Sequence, residues 1–190
     1  MDRYRRGRAR RLRGRHVAAR APAVSPHDGD VMPRLLVAGI GNIFLGDDGF
    51  GSEVARRMNA QTPVDGVDVV DFGIRGIHLA YELAGGKYDA AILVDAVSRG
   101  GTPGTLYAIE PADHGTEQEI GNGHSVTPTM VLSWVRKVGG QCGRVLVVGC
   151  EAASVEERMA LSSEVASSVD AAVEMIRGLV VELMEHPQCA

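Results

Sequence analysis

Apolar and polar positions follow two different periods along residues 34–185 of this chain. Short continuous apolar runs, typical of strands buried on both faces, alternate with segments whose apolar side chains recur at helical spacing. The predicted strands are 35–41, 67–71, 90–95 and 144–150, with 105–109 as an edge strand. The predicted helices are 50–58, 77–84, 127–138 and a last helix that contains 165–183. This alternation predicts a single three-layer α/β domain with a mainly parallel, twisted sheet of about five strands flanked by helices.

The last helix has the most regular pattern. Its apolar residues are separated by four, three, four, three and four positions, so they share one helical face. They are Val165, Val169, Ala172, Ile176, Leu179 and Leu183. We expect this face to cover one side of the sheet. The helix before it has a distinct start signal, with Thr127 as the predicted N-cap and Pro128 in the first helical position.

The two ends of the chain differ from this body. Residues 1–31 contain nine arginines and three aspartates, whereas the rest of the chain carries 11 basic and 21 acidic residues. A charged arm with so few apolar residues cannot support a packed core, so we interpret it as a disordered and dispensable N-terminal extension. An alternative is an arm that contacts nucleic acid or an acidic partner. The globular domain is predicted to comprise 32–186, followed by a short tail, 187–190.

Composition excludes several classes of protein. No apolar run approaches the ~18 residues that a membrane-spanning helix requires, and the arginine-rich arm lacks the apolar segment of a secretory signal, so we expect a cytoplasmic protein. The formal net charge of −4 disfavours a large nucleic-acid-binding surface. Three cysteines, Cys142, Cys150 and Cys189, are too few for a disulfide scaffold.

Carboxylates follow the predicted strands at the point where each strand ends. Asp47 and Asp48 come after the first strand, Asp71 after the second and Asp95 after the third. In parallel sheets, ligands bind beyond these carboxyl ends, and an unpaired acidic cluster there favours a cation. Each residue also has a structural interpretation. Asp48 precedes a helix and is a candidate N-cap, whereas Asp71 and Asp95 are candidate acceptors for N–H groups of the turns that they open.

Two histidines lie in the long polar loop before the third helix, His114 and His124, and nothing local distinguishes them. Two carboxylates and one imidazole would form a three-ligand site with open positions, which suits a divalent metal such as nickel or zinc.

Other catalytic and binding machineries are missing from the sequence. It contains neither an HExxH helix nor a GxSxG turn, and the glycine-rich turn after the first strand lacks the third glycine of a dinucleotide-binding motif. A small-molecule or nucleotide-binding α/β module is the alternative function of a different class, although crowded carboxylates disfavour anionic phosphates.

The segment 39–51, GIGNIFLGDDGFG, closely resembles the opening motif of the [NiFe]-hydrogenase maturation proteases. In that family a G-x-G-N turn leads to G-D-[DE]-G-x-G and then to a helix. The resemblance spans roughly residues 34–185. It continues through 70–73, 92–96, 103–105, the loop histidine and 147–151.

The resemblance implies a processing endopeptidase. It would remove a C-terminal peptide from the nickel-loaded precursor of a hydrogenase large subunit. The family's metal-contact positions fall here on Asp48, Asp95 and His124, which we take as the candidate catalytic residues. Because the sequence has no serine or cysteine machinery, we favour peptide cleavage by a water molecule that Asp48 or Asp95 activates. The substrate would supply the nickel, so the isolated protein need not carry a metal. Candidate residues of the substrate cleft are Gly41, Asn42, Asp71 and Glu151.

Two positions depart from the family pattern. Ala152 follows Glu151 where a proline is usual, and Ser125 follows the loop histidine where an amide side chain is common. These departures leave open a degenerate relative that binds a precursor without cleaving it.

Overall fold

The computed structural model describes residues 32–111 and 126–186, and all structural statements below concern these ranges. The strands are β1 (Leu35–Ile40), β2 (Val67–Gly73), β3 (Ala90–Val97), β4 (Leu106–Ile109) and β5 (Arg144–Glu151). The helices are α1 (Phe50–Asn59), α2 (Gly76–Ala84), α3 (Pro128–Lys137) and α4 (Ser163–Glu185), and a 3-10 helix, Gly46–Gly49, directly precedes α1. Each predicted strand and helix is therefore present.

The sheet has the strand order β2-β1-β3-β5-β4. The pairs β1–β2, β1–β3 and β3–β5 are parallel, whereas β4 lies antiparallel at the edge beside β5. The mainly parallel five-stranded sheet and the edge position of β4 are confirmed. Because β1, β2 and β3 are neighbours with the same direction, the residues that follow them meet at one edge of the sheet.

Helices cover both faces of the sheet and give two hydrophobic cores. All six residues of β1 are buried, because its side chains alternate between the two cores. Leu35 and Val37 contribute to the core shared with α1 and α4. Leu36 and Ile40 contribute to the core shared with α2 and α3. This arrangement confirms the three-layer prediction and explains why the strand has a continuous apolar sequence.

The helix α4 buries a slightly different face from the one predicted. Five of the six predicted residues are buried, but Leu179 is only partly buried. Val173 and Val180 are buried instead, so the helix is rotated about its axis toward these two residues. No helix in the ranges 32–111 and 126–186 is long and apolar enough to cross a membrane.

The last two helices, α3 and α4, both begin with a side-chain cap. The Thr127 hydroxyl accepts a hydrogen bond from the Met130 N–H at 3.3 Å, which confirms the predicted N-cap of α3. The Ser162 hydroxyl accepts one from the Val165 N–H at 3.3 Å and caps α4 in the same way.

Candidate active site

The turn after β1 depends on a glycine. Gly41 has a positive φ of 126°, and a Cβ added there would overlap the carbonyl oxygen of Asp48. Its N–H donates to the carbonyl of Gly73 at 3.2 Å, at the end of the adjacent strand β2. Gly41 therefore allows the backbone at the end of β1 to approach the backbone of Asp48 in the 3-10 helix closely. This contact gives the glycine a structural role, whereas its predicted place in the substrate cleft stays a prediction.

Asp48 is held by the start of its own turn. Its Oδ2 accepts a hydrogen bond from the Asn42 N–H at 2.7 Å. The Asn42 side-chain oxygen in turn accepts a hydrogen bond from the Phe44 N–H at 3.0 Å, which stabilises the turn between β1 and the 3-10 helix. The N-cap of α1 is Gly49, which has no capping side chain, so the interpretation of Asp48 as an N-cap is wrong.

Asp95 lies at the carboxyl end of β3 and is only 4% exposed. Its Oδ1 accepts a hydrogen bond from the Ala96 N–H at 2.9 Å and lies 3.8 Å from the Cβ position constructed on Gly41. The donor Ala96 still belongs to β3, which continues to Val97, so the interpretation of Asp95 as an acceptor for a turn that it opens is wrong. Gly41 separates the Asp48 backbone from the Asp95 carboxyl group, so the ends of β1 and β3 bring the two aspartates into one site.

Burial disfavours the ionised form of both aspartates, and Asp95 is also affected by the charge of Asp48. Burial raises the pKa of Asp95 well above its usual value, and the negative charge of Asp48 raises it further. Burial also raises the pKa of Asp48, against the opposing effect of the Asn42 hydrogen bond. A cation or a shared proton relieves this repulsion. The geometry thus provides a site for positive charge that ordinary protein groups in the described ranges do not neutralise.

This repulsion predicts that Asp95→Asn stabilises the metal-free protein at neutral and alkaline pH. A carboxyl whose pKa is raised by folding binds more protons in the folded state, so stability falls as pH rises above its unfolded pKa. We expect the variant to unfold a few degrees higher than wild type at pH 8. The difference should shrink as pH falls toward the usual aspartate value of 3.8. Thermal unfolding in the presence of a chelator, between pH 4 and 8, measures this, and a lower midpoint for the variant at pH 8 would contradict it.

Asp71 lies at the end of β2 and borders a groove. Its Oδ1 accepts hydrogen bonds from the Ser52 hydroxyl at 2.8 Å and from the Gly73 N–H at 3.0 Å. The predicted turn interaction is thus present, together with a bond to α1. The groove has a volume of about 500 Å³. Its lining includes residues of α1 and Asp71, together with Ile43, Met159 and Leu161. The location is compatible with the predicted cleft role of Asp71, which stays a prediction.

Glu151 supports a neighbouring loop. Only 4% exposed, it accepts hydrogen bonds from the N–H groups of Arg99 and Gly100, both at 2.9 Å, and from the Tyr107 hydroxyl at 3.1 Å. Burial would raise the pKa of Glu151, but these hydrogen bonds lower it below its usual value. The carboxylate is therefore directed to the loop that follows β3, and direct contact with a substrate stays a prediction.

Asp47 is the residue that sequence reasoning missed. It is fully buried, and its carboxylate accepts four hydrogen bonds from Ala153, Ser154 and Ser162. These partners are 106 to 115 positions away along the chain. No local pattern distinguishes Asp47 from its neighbour Asp48, so only the resemblance selected Asp48 as the metal-contact position.

His124, the third candidate metal contact, lies outside the described residues, as do His114 and Ser125. Val126, the first residue described after that gap, packs against Gly76 at the start of α2, with its Cβ 3.2 Å from the Cβ position constructed there. Within 32–111 and 126–186, no group of three or more His, Cys, Asp or Glu side chains is arranged to hold a metal ion. The three-ligand set therefore stays a prediction.

The two described cysteines do not provide a nucleophile. Cys150 is buried, and burial together with the charges of Asp47 and Glu151 raises the pKa of its thiol to about 11. Burial also raises the pKa of Cys142. Both thiols are therefore protonated at neutral pH.

The fold and the carboxylate pair define an α/β protein whose site lies beyond the carboxyl ends of the central strands. Comparison with known proteins identifies the family: residues 52–178 match the hydrogenase maturation protease family. The chain belongs to this family and is a peptidase.

Two solved structures and a sequence relative agree with this assignment. A hydrogenase 2 maturation peptidase from Thaumarchaeota archaeon SCGC_AB-539-E09 is 32% identical, with a TM-score of 0.60 over 77% of this chain and 97% of that one. The hydrogenase maturating endopeptidase HybD from Escherichia coli is 25% identical, with a TM-score of 0.64 over 78% of this chain and 93% of that one. The hydrogenase expression/formation protein HupD from Rhodobacter capsulatus is 30% identical over 79% of this chain and 74% of its own length.

Proposed function

We propose that this protein removes a C-terminal peptide from the nickel-loaded precursor of a [NiFe]-hydrogenase large subunit, in the cytoplasm. Membership of the maturation protease family supports the substrate class. The observation that carries the proposal is the pair Asp48 and Asp95. Burial raises the pKa of both carboxyl groups, and the charge of Asp48 raises that of Asp95 further. Such a pair is suited to a cation that arrives with the substrate.

The nickel of the precursor is part of the substrate in this proposal. Asp48, Asp95 and His124 would contact it, because carboxylate oxygen and imidazole nitrogen are donors that nickel accepts. A set of three protein ligands is incomplete and binds a free ion weakly. The precursor would supply the remaining ligands, so recognition depends on prior insertion of the metal.

The two carboxyl groups are also the candidates for proton transfer. A carboxyl group with a raised pKa holds a proton closer to neutral pH than an ordinary aspartate does, which suits general acid–base catalysis. In our hypothesis Asp48 or Asp95 accepts a proton from the attacking water and returns it to the leaving amine. Both residues are fixed by backbone N–H groups, from Asn42 and Ala96.

The departure from the family pattern at residue 152 has a structural counterpart. The Ala152 N–H donates to the Val97 carbonyl at 3.0 Å, joining the ends of β5 and β3. A proline has no N–H and could not form this bond. This hydrogen bond connects the segment after β5 to the strand that carries Asp95.

The test is incubation of the purified protein with a large-subunit precursor, in nickel-loaded and nickel-free forms, followed by intact-mass spectrometry. We expect a small, defined loss of mass from the nickel-loaded precursor alone. Binding without any loss of mass would instead identify a non-cleaving relative. Cleavage of both forms at equal rates would exclude nickel as the recognition element.

A further inference from the structure

Asp47 has a place in the molecule that the reaction itself does not explain. It is fully buried, directly precedes Asp48, and lies in the 3-10 helix that follows the turn after β1. A fully buried carboxylate is rare unless it is paired or hydrogen-bonded. The hydrogen-bond partners of Asp47 therefore indicate its structural role.

All hydrogen-bond donors to the Asp47 carboxylate lie in the segment 152–162, which connects β5 to α4. Oδ2 accepts from the N–H groups of Ala153 at 2.8 Å and Ser154 at 3.0 Å, and from the Ser162 hydroxyl at 3.0 Å. Oδ1 accepts from the Ser162 N–H at 2.6 Å. Ser162 is the N-cap of α4, so the carboxylate also lies at the positive end of a 23-residue helix.

Backbone hydrogen bonds connect the same two segments in both directions. The Asp47 N–H donates to the Ser154 carbonyl at 3.0 Å, and the Gly46 N–H donates to the Arg158 carbonyl at 2.7 Å. The Arg158 N–H donates back to the Phe44 carbonyl at 3.0 Å. The turn that carries Asp48 and the segment 152–162 therefore form one hydrogen-bonded unit, and the Asp47 side chain is its buried centre.

This unit contributes several residues to the lining of the groove. Met159, Ala160 and Leu161 belong to the segment 152–162, and Ile43 belongs to the turn. A displacement of the segment would therefore change both the groove and the backbone position of Asp48.

We propose that Asp47 is a positioning residue that places Asp48 for metal contact and fixes the segment 152–162 as a wall of the groove. The part that concerns Asp48 rests on the proposed function. The partners of Asp47 act as donors, so only a group with acceptors at both positions satisfies them. An amide of the same size offers one acceptor and one NH₂ group, and the NH₂ group would face an N–H donor.

The test compares Asp47→Asn with Ile176→Val, which removes one methyl group from the fully buried core beneath α4, away from the site. Urea unfolding establishes how far each variant is destabilised. Two further readouts are the rate of precursor processing and the hydrogen exchange of the Asn42 amide, which donates to Asp48. We expect D47N to process at least ~10-fold more slowly, because a displacement of about 1 Å at a reacting group has effects of this size or larger. We expect the Asn42 amide to exchange at least ~10-fold faster than in I176V, relative to core amides of β3.

Ser162→Ala is the milder variant if D47N does not fold, because it removes the hydroxyl donor and leaves the three N–H donors of Asp47. It also removes the side-chain cap of α4, and urea unfolding measures the cost of that loss. Its Asn42 amide should exchange faster than in I176V. The proposal would be overturned if the Asn42 amide exchanged equally fast in I176V and in the Asp47 or Ser162 variant. Processing by D47N within about twofold of wild type would overturn it as well. If the wild-type protein does not process the precursor, the proposed function fails. The Asn42 exchange then still decides whether Asp47 positions the turn.

Discussion

Asp48→Asn should abolish processing of a nickel-loaded precursor, with a loss in kcat/KM of ~100-fold or more, as is usual when a group that transfers protons or contacts a metal is removed. The amide has no negative charge to attract the ion and cannot accept a proton from water. Its oxygen can still accept the hydrogen bond from the Asn42 N–H, so the turn should be preserved. The rate of mass loss from the precursor, measured at several precursor concentrations, provides the comparison.

The structure offers a control for this substitution. Glu182→Gln also converts a carboxylate to an amide, but at the far end of α4, where Glu182 accepts a hydrogen bond from Arg144 at the start of β5. We expect this control to process at the wild-type rate. D48N should unfold at the same temperature as wild type or at a higher one, because burial disfavours the charge of Asp48. Full activity of a folded D48N would refute the assignment of Asp48.

Gly51→Ala should destabilise the fold by about 3 kcal/mol or more, the upper part of the range for overpacked cores. A Cβ at this position would overlap the carbonyl oxygens of Ile40 and Val94 and lie 2.6 Å from the Ile40 nitrogen. These atoms belong to the two central strands, which cannot move without breaking the sheet. The helix α1 would have to move outward, and the 3-10 helix that carries Asp48 would be displaced with it.

Gly178→Ala is the matched control, since it makes the same substitution inside the helix α4. A Cβ at residue 178 meets no atom within 4 Å. The substitution should therefore stabilise the protein by about 0.5–1 kcal/mol, because alanine loses less backbone entropy than glycine in a helix. Urea unfolding of both variants measures the two changes in unfolding free energy, which should have opposite signs. Equal midpoints for G51A and wild type would show that α1 does not pack on the strands as described.

The sequence alone determined the elements and the class of fold. A strand that is covered on both faces needs apolar side chains at every position, and β1 has this pattern without interruption. A helix on the outside of the sheet needs one apolar face, and α4 repeats its apolar residues accordingly. The N-cap Thr127 was equally readable, because capping is an interaction between residues three positions apart.

The family resemblance, itself a property of the sequence, selected Asp48 among the acidic residues. Periodicity and spacing did not distinguish it from Asp47, because the two aspartates are adjacent in the same turn. The tertiary structure separates them. Asp47 is turned toward the segment 152–162, whereas Asp48 is turned toward the Asn42 N–H and interacts electrostatically with Asp95.

Local sequence determined which side chains follow each strand, since a strand and its turn are built from consecutive residues. The tertiary structure decided which of these side chains meet. The strand order β2-β1-β3-β5-β4 places β1 beside β3, and this neighbourhood brings Asp48 and Asp95 into one site. Strand order depends on packing between segments that are distant along the chain. The close approach at Gly51 and the burial of Asp47 arise from the same long-range packing.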